Sequence, residues 1–173
     1  MSDHILSIPN FYARRSIFIP NSGHTVMGDI TMKTGKEMLS SILKTTQMGQ
    51  TGIRCVMSYP VNPELKKALK DQLEEYDAIE SQAHAIASRR GWQVPELSSG
   101  VRTMSNLMSR ASLMAGNTDS RIASMMITGN TKGLIKSEKN AHHMRRGDSA
   151  VTELNSKLIQ REFDNIQQMR KFL

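Results

Sequence analysis

The sequence predicts an all-α four-helix bundle, and three observations carry that prediction. From Leu39 onward, apolar residues recur at alternating spacings of three and four, the period of a helix face packed in a bundle. The apolar residues are mostly Leu, Ile, Met and Ala, with 13 Met against four Phe, three Tyr and one Trp. That palette favours helix, whereas strands draw on β-branched and aromatic residues. Finally, stop and start signals cut the periodic stretch into helix-sized pieces.

The first helix is expected over about residues 30–58. Leu39, Ile42, Thr46, Gly49, Ile53 and Val56 form its seam. Glycine at such a position weakens a helix intrinsically, so Gly49 and Gly52 imply close approach of another backbone. Tyr59-Pro60-Val61-Asn62-Pro63 breaks the helix. Asn62 then suits an N-cap and Pro63 the first helical position. The second helix carries Leu65, Leu69, Gln72, Tyr76, Ile79, Ala83, Ile86 and Arg90 on its inner face. It ends at Arg89-Arg90-Gly91, with cations at the negative end and glycine at the C-cap. Trp92 is placed to fold back on the last turn.

Residues 93–117 form a long connection with helical spacing of its own at Val101, Met104, Met108, Ala111 and Ala115. A break is expected near Gly116, and the third helix over about 119–144, with Ile122, Met125, Met126, Gly129, Gly133 and Leu134 on its seam. Gly147-Asp148-Ser149 makes the last turn. The fourth helix, about 149–172, uses Val151, Leu154, Leu158, Ile166, Met169 and Phe172. Short, long and short links between four helices give a bundle with one long crossover between helices 2 and 3, the ferritin-like arrangement. Residues 1–28, with Pro9, Pro20, Gly23 and Gly28, lack helical period and read as an extended N-terminal arm before a bundle domain at 29–173.

Composition narrows the function. A chain of 173 residues with 38% hydrophobic content can bury a core and is not wholesale disordered. No apolar run is long enough to span a membrane. The single cysteine, Cys55, excludes a disulfide framework and a thiolate zinc cluster, and reads as an inert buried thiol. Arg14-Arg15 precedes an apolar run too short for an export signal, so the cytoplasm is the expected compartment. Most of the +7 net charge lies in residues 98–147, where eight Lys and Arg face two Asp and Glu. Lys132, Lys136, Lys139 and His143 make a basic stripe there. Without stacking aromatics or a recognition element, nucleic-acid binding is not expected of it. His142-His143 and Arg145-Arg146 read as cations ending a helix.

A carboxylate-bridged di-metal site in such a bundle needs a Glu from each of two helices and Glu-x-x-His from each of the others. Only fragments of that set are present. Glu80 lies on the second helix with His84 four residues on rather than three. Glu162-Phe163-Asp164-Asn165 has the spacing, with asparagine in the place of histidine. Gln47 and Gln50 stand on the first helix and Asn130 on the third. Interior acids hydrogen-bonded to these amides, or turned to solvent, are the expectation, with no cofactor. Iron or manganese held by Glu80, His84 and Glu162 is the alternative.

Three stretches resemble the ferritin-like superfamily, in a bacterial branch near the rubrerythrins. They are Leu73-Glu74-Glu75-Tyr76-Asp77-Ala78-Ile79-Glu80 leading to Arg89-Arg90-Gly91-Trp92, then Met126-Ile127-Thr128-Gly129-Asn130-Thr131-Lys132-Gly133, then Glu162-Phe163-Asp164-Asn165-Ile166. The resemblance covers roughly residues 30–173. It implies the ferritin-like fold and, in the rubrerythrins, a di-iron centre for peroxide and oxygen chemistry, from whose pattern this chain departs at most ligand positions. The expected function is therefore a non-enzymatic structural or interaction protein. Its methionines and glycine seams suit a homodimer, and the sequence names no other protein partner. A rubrerythrin-like metal-dependent oxidoreductase is the alternative.

Overall fold

The computed structural model describes residues 33–94, 118–143 and 148–173. The long elements among them are four α-helices: α1 (Gly35–Val56), α2 (Pro63–Arg90), α3 (Thr118–His142) and α4 (Ser149–Met169), the last followed by a 3₁₀ turn at Arg170–Phe172. The predicted all-α bundle is therefore observed. The arm at 1–28, the helical spacing at 101–115 and the break near Gly116 lie outside the described residues.

Local chemistry sets the helix ends. Thr34 caps α1 in extended backbone, with φ −76° and ψ 160°, and its hydroxyl accepts from the Glu37 amide. The Glu37 carboxylate accepts from the Thr34 amide at 2.8 Å in return. This capping box starts the helix at Gly35, later than the residue 30 expected from periodicity. The two caps predicted for α2 stand. Asn62 accepts from the Glu64 amide ahead of Pro63, and Gly91 closes α2 in the left-handed region at φ 63°. Asp148 caps α4 by accepting from the Ala150 amide, and its carboxylate also meets Arg90 Nε at 2.6 Å. Arg90, expected on the inner face of α2, is thus an exposed tie between the end of α2 and the start of α4. Trp92 packs against the core and reaches over Gly35.

The fullest contacts are α1 with α2 and α3 with α4; α2 also packs on α4, and α1 on α3. The core between them holds Leu39, Ile42, Ile53, Leu69, Tyr76, Ile79, Ile122, Leu158 and Met169, each essentially inaccessible. Burying each such side chain contributes about 1.5–3 kcal/mol. The inner face of α3 changes character along its length. Ile122, Ala123 and Met126 give way to Asn130, Gly133, Ser137 and Asn140. On α4, Asn155, Glu162 and Asn165 are buried, and Ile166 is only half-buried. Near its end α3 therefore joins α1 and α4 through polar pairs, beside an apolar core supplied by the other helices. Asn140 Nδ2 donates to Ser41 Oγ at 3.0 Å, and Asn155 Nδ2 to the Ser137 carbonyl at 2.9 Å.

Candidate functional site

Four of the glycines on α1 and α3, Gly49, Gly52, Gly129 and Gly133, line a cleft, and they play two different parts. A Cβ on Gly49 would come within 2.6 Å of the Tyr76 ring, and one on Gly133 would overlap the Glu162 carboxyl. At Gly52 and Gly129 a Cβ would meet nothing within 4 Å. Gly49 and Gly133 thus admit side chains from α2 and α4, not another backbone as the seam spacing implied. Gly52 and Gly129 instead face open space. The result is a cleft of about 310 Å³ between α1 and α3, walled by Met48, Gly52, Met125 and Gly129 and floored by Tyr76, Asn130 and Glu162.

The floor is polar and almost wholly buried. Glu162 is 1% exposed and Asn130 is 2% exposed. The Tyr76 hydroxyl stands 3.0 Å from Glu162 Oε2 and 3.2 Å from Asn130 Oδ1. Among the described residues Asn130 Nδ2 has no hydrogen-bond partner. Burial drives the Glu162 carboxyl up to about 8, and the Tyr76 hydrogen bond opposes the rise. Glu162 is therefore mainly a neutral acid at pH 7, offering one O–H donor and one carbonyl acceptor. Burial, and then the neighbouring Glu162 carboxyl, push the Tyr76 hydroxyl well above the usual phenol range, and the Asn165 amide opposes the rise.

Charge is confined to the mouth. Lys132 and Lys136, from the predicted basic stripe, line the cleft on α3. Burial lowers Lys136, and Lys44 and Lys33 add to the effect. Met48, at the mouth on α1, is 45% exposed.

Glu80 belongs to a second cluster, between α1 and α2. Its carboxylate accepts from Gln47 Nε2 at 2.8 Å and from Gln50 Nε2 at 2.6 Å. Gln50 Nε2 also donates to Asp77 at 2.9 Å, and Arg54 reaches the same carboxylate at 3.4 Å. Burial acts to raise Glu80, but the two amide donors and His84 outweigh it and leave the carboxyl below its usual range. His84 is exposed, with Nε2 3.7 Å from Glu80.

The three sequence-predicted metal residues are thus divided. Glu80 and His84 share one cluster, and the hydrogen-bond partners of Glu162 belong to another. Among the described residues no three His, Cys, Asp or Glu side chains gather as a metal site. Gln47 and Gln50 turn NH₂ groups toward Glu80. Cys55, expected to be buried, is half-buried.

Sequence reasoning singled out Glu162 and Asn130 but took Tyr76 for plain core. Tyr76 meets them across 54 and 86 residues of chain, which no local spacing reveals. A signal was present in the glycines, whose intrinsic cost to a helix calls for a spatial reason. No protein-family model matches this chain, and neither the curated proteins nor the solved structures yield a match.

Proposed function

We propose that this protein is a ferritin-like bundle that acts by binding, as a non-enzymatic structural or interaction protein that self-associates as a homodimer. The pairing of Glu80 with the NH₂ groups of Gln47 and Gln50 carries the reading. In a working di-metal centre such carboxylates face a cation; here Glu80 faces two amide donors and Glu162 a tyrosine hydroxyl. The order of helix contacts supports the ferritin-like topology. α1 touches α2 and α3, α4 touches the same two, and α1 and α4 touch more lightly. Such contacts suit a diagonal pair of α2 and α3 joined by a long crossover over 91–117. The exposed Met48, beside the cleft, is the kind of adaptable apolar side chain that self-association uses.

Two measurements on the purified full chain test this reading. Elemental analysis is expected to find no stoichiometric iron or manganese, and one metal or more per chain overturns the non-enzymatic reading. Sedimentation at tens of micromolar is expected to show a dimer, and a strict monomer overturns the self-association.

A further inference from the structure

The cleft between α1 and α3 has the make-up of a ligand site. Its volume, about 310 Å³, lies at the lower end of the roughly 300–1,000 Å³ of small-molecule pockets. It is apolar along the walls, and its polar groups converge at one end. Gly52 and Gly129 leave both helix backbones bare, so a flat body can lie close between them. Met48 and Met125 flank that space, and thioethers pack well against aromatic rings.

The floor defines the other end of the ligand. Asn130 Nδ2 is a buried donor without a partner, a costly state that a bound acceptor would relieve. The Glu162 carboxyl sits beside Gly133 on the same floor, with its Oε2 already engaged by Tyr76. No cation hydrogen-bonds to this floor among the described residues; the lysines stand at the mouth. A buried carboxylate here would lie beside a carboxyl with its charge unpaired. A neutral group presenting C=O and N–H side by side fits instead. Its N–H meets one oxygen of the acid, and its carbonyl accepts from the acid O–H and from Asn130.

We propose that this cleft binds a small, flat, uncharged molecule with an aromatic body and a carboxamide-type edge, the body between Gly52 and Gly129 and the edge on Glu162 and Asn130. Met48 borders this site as well as the surface proposed for self-association, and the site does not depend on the dimer.

Naphthalene-2-carboxamide is a suitable probe, titrated calorimetrically into the full-length protein near pH 6.5. One saturable site per chain is expected. Loss of the hydrogen-bonding edge, in 2-ethylnaphthalene, is expected to weaken binding by at least about tenfold. Naphthalene-2-carboxylate is expected to bind as weakly, because its charge would be buried unpaired. A Cβ at Gly129 meets nothing within 4 Å, so Gly129→Ala is expected to keep or raise the thermal midpoint, while the longer side chain of Gly129→Leu is expected to abolish binding. Absence of saturable amide binding overturns the proposal. Equal affinity for the hydrocarbon overturns it too, since the floor would then take no part. Tighter binding of the carboxylate assigns the site to the lysines at the mouth and overturns it. Destabilisation by Gly129→Ala shows that the space is filled by protein, from this chain or a second copy, and overturns it as well; so does undiminished amide binding by Gly129→Leu.

Discussion

The Glu162 carboxyl lies where a side chain on Gly133 would have to be, and the Tyr76 ring stands in the same relation to Gly49. Substitution at the two kinds of glycine is therefore expected to have opposite signs. Gly49→Ala and Gly133→Ala force a buried ring or carboxyl to move and are expected to cost about 1–3 kcal/mol each. Gly52→Ala and Gly129→Ala meet open space within a helix and are expected to stabilise by about 0.4–1 kcal/mol each. Urea unfolding of the four variants checks this. Four changes of one sign would disprove the division.

Asp148 joins two jobs in one side chain. It caps α4 through the Ala150 amide and pairs with Arg90 at the end of α2. The Arg90 hydrogen bond is the largest cause that lowers the Asp148 carboxyl below its usual range. Asp148→Ala is expected to destabilise by about 1–2 kcal/mol through the lost cap. Asp148→Asn keeps a capping oxygen and loses the charge, so its stability is expected to fall between those of wild type and Asp148→Ala. Thermal midpoints of the three proteins decide the order, and an asparagine variant no better than alanine would refute it.

The helix ends of α2 were legible because caps are local: Asn62-Pro63 and Gly91 act through neighbouring backbone groups alone. The capping box at Thr34 and Glu37 is equally local but has no apolar period, so a reading led by hydropathy passed over it. The lower half of α3 resisted for a different reason. Ser137 and Asn140 stand at core positions with polar side chains, and their places depend on Asn155 and Ser41 from other helices. Polar residues on a buried face look like solvent positions until their partners are known. The floor of the cleft has the same character, since Glu162 was legible as an interior acid but its partner Tyr76 was not.

Glu80 is expected to respond poorly to loss of charge. Glu80→Gln leaves one carbonyl for the two NH₂ groups of Gln47 and Gln50 and adds a third NH₂ group to the cluster. A loss of about 1–3 kcal/mol is expected, because a buried amide NH₂ then faces another NH₂ group in place of a carboxylate oxygen. A chelator is expected to leave the wild-type thermal midpoint unchanged, because the partners of Glu80 are amides and not an ion. Chelator-induced destabilisation that Glu80→Gln reproduces would instead reveal a bound cation contributing to folding.

Glu162 makes the pH dependence of stability carry an unusual sign. An ordinary glutamate releases its proton near 4.5, and the unfolded chain behaves so, while burial holds the folded-state proton to about 8. Between these values the folded protein binds more protons than the unfolded chain. The contribution of Glu162 therefore falls as pH rises through that window, by at most about 1.4 kcal/mol per pH unit, and levels off above it. The groups facing it are Tyr76 from α2 and, at the cleft mouth, Lys132 and Lys136 from α3; α1 lines the cleft with no titratable side chain among the described residues. Glu162→Gln keeps the shape and removes the proton, so its stability curve is expected to be flatter and to lie above the wild type in mildly alkaline solution. Tyr76→Phe removes the hydrogen bond that favours the carboxylate, so it is expected to move the levelling-off to higher pH. Urea midpoints of the three proteins between about pH 5 and about pH 9 provide the measurement. Parallel curves for wild type and Glu162→Gln would mean that the carboxyl keeps an ordinary pKa and that the cleft floor is charged at neutral pH.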